Sequence, residues 1–295
     1  MQSTLMAAFR LFLFVLWTLV VIPPYALTML VRGPYRSFAR LYWRVVCRIT
    51  ATEVVVKGVP ATARPLVMVA NHTSYMDIVV LGSLVRGAFV AKSEVAGWPG
   101  FGTIAKLGRT VFVDRKRTAA GRQRDEIVRR LVKDREPLIF FPEGTSNDGN
   151  RVLPFKSTLF NVAEKPVNGE TVTVQPVSIA YTRIDGMPMG WAGRPYYAWY
   201  GDMDLAPHLW ALLGHGRVTV EVEFHRPVQA AQFPHRRDLS AWCEAVVRAG
   251  VARALFGRDL PADPPLPPPE DECAPAAVAA TAERAPAPAA ASPVA

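Results

Sequence analysis

The feature that most constrains this chain is a 21-residue segment without a charged residue, Leu11–Val31. As an unbroken helix it would extend about 31 Å, which is enough to cross the hydrocarbon core of a bilayer. Pro23 and Pro24 interrupt the run, and a proline inside a helix removes a backbone hydrogen bond. The segment is therefore either one kinked span or two short helices that enter one leaflet. No small-x-small cleavage site follows it, which argues against a signal peptide.

Basic residues recur every four positions directly after this segment. They are Arg32, Arg36, Arg40, Arg44 and Arg48. A four-residue spacing stacks side chains along one side of a helix, and apolar residues fill another side. Such a helix suits a bilayer interface, with its arginines on lipid phosphates, and arginine after an apolar span indicates the cytoplasmic side. We therefore expect residues 1–50 to anchor the chain in the cytoplasmic (inner) membrane, with the remainder facing the cytoplasm.

The chain is basic, with 34 Lys and Arg against 25 Asp and Glu. Basic proteins associate with nucleic acid, anionic lipid surfaces or phosphorylated substrates. Because the basic residues adjoin an apolar segment, we expect the chain to associate with a membrane and not with nucleic acid. The three cysteines are scattered, and His208 and His215 lack partners at metal-ligand spacing, so no metal site is predicted. Residues 261–295, rich in proline and alanine, are predicted to be a disordered tail.

Short apolar runs alternate with amphipathic stretches over residues 51–260. The predicted strands are Leu66–Ala70, Ala88–Ala91, Val111–Val113, Leu138–Phe141, Val172–Ile179 and Val218–Phe224. The predicted helices are Met76–Leu84, Ala119–Lys133, Lys156–Glu164 and Leu239–Leu255. This alternation predicts an α/β domain with a largely parallel, mixed sheet flanked by helices.

Polar or flexible residues follow four of these predicted strands. They are His72 and Asp77, then Lys92, then Arg115, and finally Glu143, Gly144 and Thr145. In an open α/β sheet the ligand crevice lies outside the carboxyl ends of the strands. One site is therefore predicted to collect a histidine, two carboxylates and two cations.

His72 and Asp77 are five residues apart. On one continuous helix that spacing separates two side chains by about 140°, so they would not face each other. They meet if His72 lies in the turn after its strand and Asp77 in the first turn of the next helix, with Ser74 as the N-cap. The carboxylate then holds one ring nitrogen and leaves the other as a general base. The alternative is that Ser74 and Asp77 only form a capping box and His72 is an ordinary strand-end residue.

Taken in order, four blocks resemble those of the glycerolipid acyltransferase family, in particular its bacterial 1-acylglycerol-3-phosphate acyltransferases. The blocks are Asn71-His72-x4-Asp77, Gly108–Arg115, Phe141–Thr145 and Val174–Val177. Together they cover about residues 66–180, and an N-terminal membrane helical motif also fits the family. One position departs from the family pattern, because the third block often continues with arginine where this chain has Ser146.

The resemblance implies a mechanism without a cofactor. His72, oriented by Asp77, would deprotonate the hydroxyl of a lysophospholipid, which would attack the thioester of acyl-CoA or of acyl carrier protein. No covalent enzyme intermediate is implied. The residues implied to bind the phosphate and glycerol end of the acceptor are Lys92, Arg115, Glu143 and Gly144, together with Thr145.

Three functions are compatible with these patterns. The leading hypothesis is acylation of the sn-2 hydroxyl of lysophosphatidic acid, which gives phosphatidic acid for phospholipid biosynthesis. The alternative is acylation of another lysolipid, such as lyso-ornithine lipid, by the same machinery. A third, from a different class, is a catalytically silent membrane-binding protein that retains the fold.

Overall fold

The computed structural model of the protein describes residues 3–31, 33, 35–98, 100–113, 127–131, 135–164, 166–167, 169–257 and 264–266. Contacts between residues divide the chain into Met1–Pro265 and Leu266–Ala295, and the description below concerns the first unit. Arg115 lies outside the described residues, as does nearly all of the predicted tail, 261–295.

The apolar segment forms one continuous helix, α1 (Thr4–Leu30), which contains both Pro23 and Pro24. Its mean hydropathy of 2.4 and its length are sufficient to cross a membrane, and only 6% of its most apolar stretch is buried inside the protein. Arg10, near the start of α1, donates hydrogen bonds to the carbonyls of Leu213 and His215 at 3.0 and 2.5 Å. Further along α1, Trp17 donates to the carbonyl of Tyr42 at 3.3 Å and Tyr25 to that of Leu107 at 2.7 Å. The helix is therefore held to the rest of the fold at several points along its length, and it also exposes apolar side chains suited to membrane association.

The basic stripe lies on the next helix, α2 (Tyr35–Ile49). Arg36 binds the buried Glu136 at 3.2 Å, and Arg44 donates to the carbonyl of Ser83 at 3.1 Å, whereas Arg48 is exposed. The expectation that the whole stripe contacts lipid phosphates therefore needs correction, since part of it bonds to the protein itself.

The strands form one mixed sheet. They are β1 (Thr52–Gly58), β2 (Leu66–Ala70), β3 (Ala88–Lys92), β4 (Val111–Val113), β5 (Leu138–Phe140), β6 (Thr173–Ile184), β7 (Met187–Pro188), β8 (Val218–Phe224) and β9 (Val228–Gln229). Their order is β1-β8-β6-β2-β5-β3-β4, with β7 and β9 paired to β6. β6, β2, β5, β3 and β4 run parallel to one another, while β8 runs antiparallel to β6 and parallel to β1. The predicted α/β class with a mixed sheet is confirmed.

The remaining α-helices are α3 (Met76–Leu84), α4 (Phe101–Leu107), α5 (Leu205–Leu213) and α6 (Arg236–Phe256). Of the predicted helix Ala119–Lys133, residues 127–131 are helical and the others lie outside the described residues. The predicted helix over Lys156–Glu164 is present in shorter form and is not an α-helix. Ser157–Val162 forms a 3₁₀ helix instead, whose Phe160 is completely buried. Packing around this side chain decides the local conformation in so short a segment.

β2 lies near the centre of the sheet, and all five of its residues are buried. A parallel strand covered on both faces explains its continuous apolar sequence. Because β2 is fixed on both sides by β5 and β6, the residues that follow it leave the most constrained part of the fold. His72 is one of these residues.

Candidate active site

His72 and Asp77 form a hydrogen-bonded pair at the carboxyl end of β2. His72 lies in the turn after the strand, and Asp77 lies in the first turn of α3. The distance from His72 Nδ1 to Asp77 Oδ2 is 2.8 Å, and the aspartate is completely buried while 19% of the histidine side chain is exposed. With Nδ1 held as N–H by a carboxylate, Nε2 is the ring nitrogen that can accept a proton.

Asp77 also closes the turn that carries the histidine. Its Oδ2 accepts hydrogen bonds from the backbone N–H groups of Thr73 and Ser74 at 2.7 and 2.9 Å. The same carboxylate therefore caps the turn and binds the imidazole. Ser74 contributes to this turn as predicted, because its Oγ accepts from the backbone N–H of Met76, the first residue of α3, at 3.4 Å.

The plane of the imidazole is fixed by an aromatic neighbour. Phe141 follows β5, and its ring is stacked on the ring of His72 with a centroid distance of 4.1 Å and an interplanar angle of 15°. Since β5 is paired directly with β2, the two residues leave adjacent strands at the same edge of the sheet. This contact and the bond to Asp77 together leave the ring little rotational freedom.

Glu143 follows β5, as predicted, and its carboxylate is buried against other parts of the protein. Only 2% of the residue is exposed. Its Oε1 accepts from the backbone N–H of His72 at 2.8 Å, and its Oε2 accepts from Asn147 Nδ2 at 2.8 Å and from the N–H of Leu153 at 3.0 Å. Both oxygens therefore accept from protein donors, one of which is the backbone N–H of the catalytic histidine candidate.

Burial raises the pKa of Glu143 to about 7, although the donors on His72, Leu153 and Asn147 act in the opposite direction. A carboxyl whose pKa is higher in the folded chain than in the unfolded chain binds more protons when folded. Its contribution to the free energy of unfolding is therefore largest below the ordinary value of 4.5 and falls as the pH rises to about 7.

Glu143→Gln should remove this pH dependence. We expect the melting temperature of the wild-type protein to fall relative to that of the variant as the pH is raised from about 5 to about 8. The corresponding change in the free energy of unfolding should approach about 3 kcal/mol. Thermal unfolding of both proteins in detergent over this range measures the effect. The exposed Glu170→Gln variant reports what a surface carboxyl contributes. A difference between wild type and Glu143→Gln that stays constant with pH would contradict the prediction.

His72 opens onto a cavity of about 380 Å³. The lining of the same cavity includes Lys92, Gly144, Thr145 and Ser146, so the ends of β2, β3 and β5 reach one cavity as the topology predicts. Gly144 has a φ of +69°, a conformation that favours glycine. β4 is parallel to β3, and the chain leads on from β4 towards Arg115, which the structure does not describe.

The same cavity extends between the amino-terminal helices and the sheet. Its apolar lining includes Phe14 of α1, Trp43 of α2, Ile78 of α3, and Phe101 and Ile104 of α4. Arg40 and Arg86 also line it. A mostly apolar cavity with a few charged groups suits an amphipathic substrate. Within the part of the chain that the structure describes, no group of three His, Cys, Asp or Glu residues could hold a metal ion.

Three residues that support the pair were not singled out from the sequence. Asn71 joins β2 to β6 through two hydrogen bonds with the backbone of Ile179, at 2.9 and 2.8 Å. Asn147 donates from its side chain and its backbone to the carbonyl of His72, at 3.1 and 3.2 Å. Tyr181 donates its hydroxyl to Asp77 Oδ1 at 2.6 Å. Both asparagines lie within or beside the motif blocks, whereas Tyr181 lies beyond the predicted end of its strand.

Comparisons with known proteins agree with this geometry. Residues 49–180 match the model of a family described as Acyltransferase. The chain is 42% identical to a lyso-ornithine lipid O-acyltransferase of Brucella abortus, over 80% of this chain and 90% of the relative. It is 29% identical to a 1-acyl-sn-glycerol-3-phosphate acyltransferase of Neisseria gonorrhoeae, over 66% and 73% of the two chains. The crystal structure of PlsC, the 1-acyl-sn-glycerophosphate acyltransferase of Thermotoga maritima, is similar with a TM-score of 0.63 at 26% identity, covering 88% of this chain and 96% of that one.

Proposed function

Because this chain belongs to the acyltransferase family and is an enzyme that acylates a lysolipid, we propose that its acceptor is lyso-ornithine lipid. The observation that carries this proposal is the 42% identity to the Brucella abortus enzyme over 90% of that enzyme's length. A second lyso-ornithine lipid O-acyltransferase, from Rhizobium meliloti, is also 42% identical over 84% of its length.

The reaction follows from the pair at the end of β2. His72 Nε2 takes the proton of the acceptor hydroxyl as the oxygen attacks the carbonyl carbon of an acyl thioester. The tetrahedral intermediate collapses with loss of the thiolate, which receives the proton from the imidazolium. Asp77 holds the ring and stabilises its positive charge while the proton is on it. The acyl group passes directly to the acceptor, so no residue of the enzyme is acylated and no cofactor is needed.

The charges beside His72 support an acceptor without a phosphate. An ornithine head group carries an amine and a carboxylate, whereas lysophosphatidic acid presents a phosphate that binds best to several cations. Ser146 lines the cavity next to Thr145, at the position where the family often has arginine. The cavity therefore has one cation fewer for a phosphate than that pattern provides.

Lysophosphatidic acid is the second candidate acceptor. The Gly108–Arg115 block is retained, and Arg115 is proposed to bind an acidic group of the acceptor. The similarity to PlsC of Thermotoga maritima extends over 88% of this chain and also favours this acceptor. The two candidates share one chemistry and differ only in the head group.

The acyl donor is proposed to be acyl-CoA or acyl carrier protein, both of which are anionic. Arg40, Arg86 and Lys92 line the cavity, and the chain has a net charge of +9, so both donors meet a complementary potential. With α1 associated with the membrane, we propose that the sheet and its cavity face the cytoplasm, where these donors are found.

An acceptor panel tests the proposal. The purified full-length protein in detergent micelles is given lyso-ornithine lipid or lysophosphatidic acid, with labelled acyl-CoA and acyl carrier protein as donors in separate reactions. We expect kcat/KM for lyso-ornithine lipid to exceed that for lysophosphatidic acid by at least about tenfold, which corresponds to about 1.4 kcal/mol of transition-state binding. Equal use of both acceptors, or preference for lysophosphatidic acid, would contradict the proposal.

Ser146→Arg serves as the matched variant in the same panel. The added guanidinium should raise the use of lysophosphatidic acid relative to lyso-ornithine lipid, because arginine binds phosphate through two N–H groups. An unchanged ratio of the two acceptors in this variant would show that Ser146 does not face the head group.

A further inference from the structure

The carboxylate of Asp77 has a second side-chain partner besides the histidine. The hydroxyl of Tyr181 donates to Oδ1 at 2.6 Å, while His72 and two backbone N–H groups donate to Oδ2. Asp77 is completely buried and Tyr181 is 2% exposed. The two oxygens of the carboxylate are therefore held from different directions.

Tyr181 reaches this position from the sheet. It lies on β6, which is parallel and adjacent to β2, so both strands lead to the same edge. The pairing of β6 with β8 changes register between Tyr181 and Arg183. Irregularities of this kind re-aim side chains beside functional sites. The ring of Tyr181 also packs against that of Tyr197, with centroids 4.8 Å apart.

The hydroxyl of Tyr181 is a donor throughout the working pH range. Burial, together with the nearby charge of Asp77, raises the pKa of this phenol well above its ordinary value. It therefore remains protonated and directs its proton at the carboxylate. A short hydrogen bond to a buried carboxylate spreads part of the negative charge that the imidazole would otherwise face alone.

We propose that Tyr181 is a positioning residue that acts on acyl transfer through Asp77. By binding Oδ1, it keeps Oδ2 aligned with His72 Nδ1 and moderates the charge that draws a proton onto the imidazole. This inference rests on the proposed function only in using His72 as the base, and it holds for either acceptor.

Few titratable groups surround Tyr181 and Asp77 in the described part of the chain. Those that act on Tyr181 are Asp77, Tyr197 and Cys47 of α2. On the other side of the histidine, Glu143 bonds to its backbone, and Lys92 lines the same cavity. The acid limb of a pH–rate profile reports on the coupled His72–Asp77 pair. Removing the hydrogen bond to Asp77 Oδ1 should therefore shift that limb along the pH axis.

Tyr181→Phe removes the hydroxyl and keeps the ring. Without this donor the charge of Asp77 binds the imidazolium more strongly, so the acid limb of kcat should move to higher pH by about 0.5 to 1 unit. We expect KM for the lysolipid to change less than about twofold, because Tyr181 does not contact substrate. Initial rates over the pH range, measured with lyso-ornithine lipid and with lysophosphatidic acid, give both quantities.

Tyr197→Phe is the matched control. Tyr197 is equally buried, and its hydroxyl bonds to Thr52 at 3.2 Å instead of to the catalytic pair. Its pH profile should superimpose on that of the wild-type enzyme. A profile for Tyr181→Phe that superimposes on wild type, or a shift of equal size in both variants, would overturn the inference.

A second substitution avoids any question of folding. Site-specific 3-fluorotyrosine at position 181 nearly keeps the size of the ring and strengthens the hydroxyl as a donor, so the acid limb of the pH–rate profile should move to lower pH. An acid limb that does not move would also overturn the inference.

Failure of the proposed function can be distinguished from failure of this inference. A wild-type enzyme that acylates neither lysolipid defeats the proposed function and this inference together. Normal transfer with unshifted profiles defeats this inference alone.

Discussion

His72→Ala is expected to abolish nearly all acyl transfer while the protein remains folded. The substitution removes the only base that we place on the acceptor hydroxyl, and general-base catalysis contributes a factor of about 10² to 10⁴ in rate. The fold should survive because His72 lies at the rim of the cavity, with 19% of its side chain exposed, and not in the core. Initial rates with saturating acceptor and donor measure the loss, and the melting temperature in detergent reports the fold.

His235→Ala controls for the loss of a histidine as such. His235 is exposed, precedes α6, and its side chain makes no capping hydrogen bond. This variant should transfer acyl groups at the wild-type rate. If His72→Ala retained normal turnover, the imidazole would not be the base, and the assignment of the crevice as the active site would be wrong.

Asp77→Asn is expected to lower kcat by about 10² to 10⁴ with a loss of stability limited to about 1–3 kcal/mol. The amide oxygen can replace Oδ2 in accepting from Thr73 and Ser74, and the amide nitrogen can donate to the hydroxyl oxygen of Tyr181, so only the Tyr181 O–H loses its acceptor. What the variant loses is the negative charge that stabilises the imidazolium. The measurement is kcat at the pH optimum, together with the melting temperature.

Asp77→Ala separates the charge from the structural role. It leaves several buried donors without an acceptor, each at a cost of about 1–3 kcal/mol, so it should be clearly less stable than Asp77→Asn. Asp238→Asn, in the exposed first turn of α6, is the neutral control. Wild-type turnover in Asp77→Asn would show that the carboxylate serves only to cap the turn.

Features of the fold that depend on short-range patterns could be predicted from the sequence. β2, β4, β8 and α3 begin and end at the predicted residues, because a continuous or alternating apolar run fixes the ends of a buried strand or helix. His72 and Lys92 line the same cavity because both follow parallel strands, whose carboxyl ends share one edge of the sheet. The membership of the acyltransferase family is likewise confirmed.

Other features depend on contacts between distant parts of the chain. The burial of Glu143 results from the loop that brings Asn147 and Leu153 over it, and no local pattern encodes that closure. Tyr181 is 104 residues from Asp77 in sequence, and its strand extends past the predicted end because β8 pairs with the additional residues. These contacts are visible only once the sheet is assembled.

The identity of the acceptor shows a further limit of motif reasoning. The blocks Asn71-His72-x4-Asp77 and Phe141–Thr145 resemble those of a whole family of acyltransferases and do not by themselves identify the lysolipid, and they led to lysophosphatidic acid as the first hypothesis. Relatives at 42% identity over most of the chain are lyso-ornithine lipid O-acyltransferases, so the alternative is better supported. In this chain Ser146 is the residue by which the motif region itself departs from the phosphate-binding pattern.

Protection of His72 from chemical modification is the sharpest test that this imidazole is the base at the acceptor site. Diethyl pyrocarbonate modifies accessible imidazoles, and mass spectrometry reports each site separately. In the purified full-length protein we expect His72 to be modified with loss of acyl transfer, and saturating lyso-ornithine lipid to protect both, while His235 is modified equally in either condition. Modification of His72 at an unchanged rate in the presence of the lysolipid, or acyl transfer that persists after His72 is fully modified, would contradict the claim.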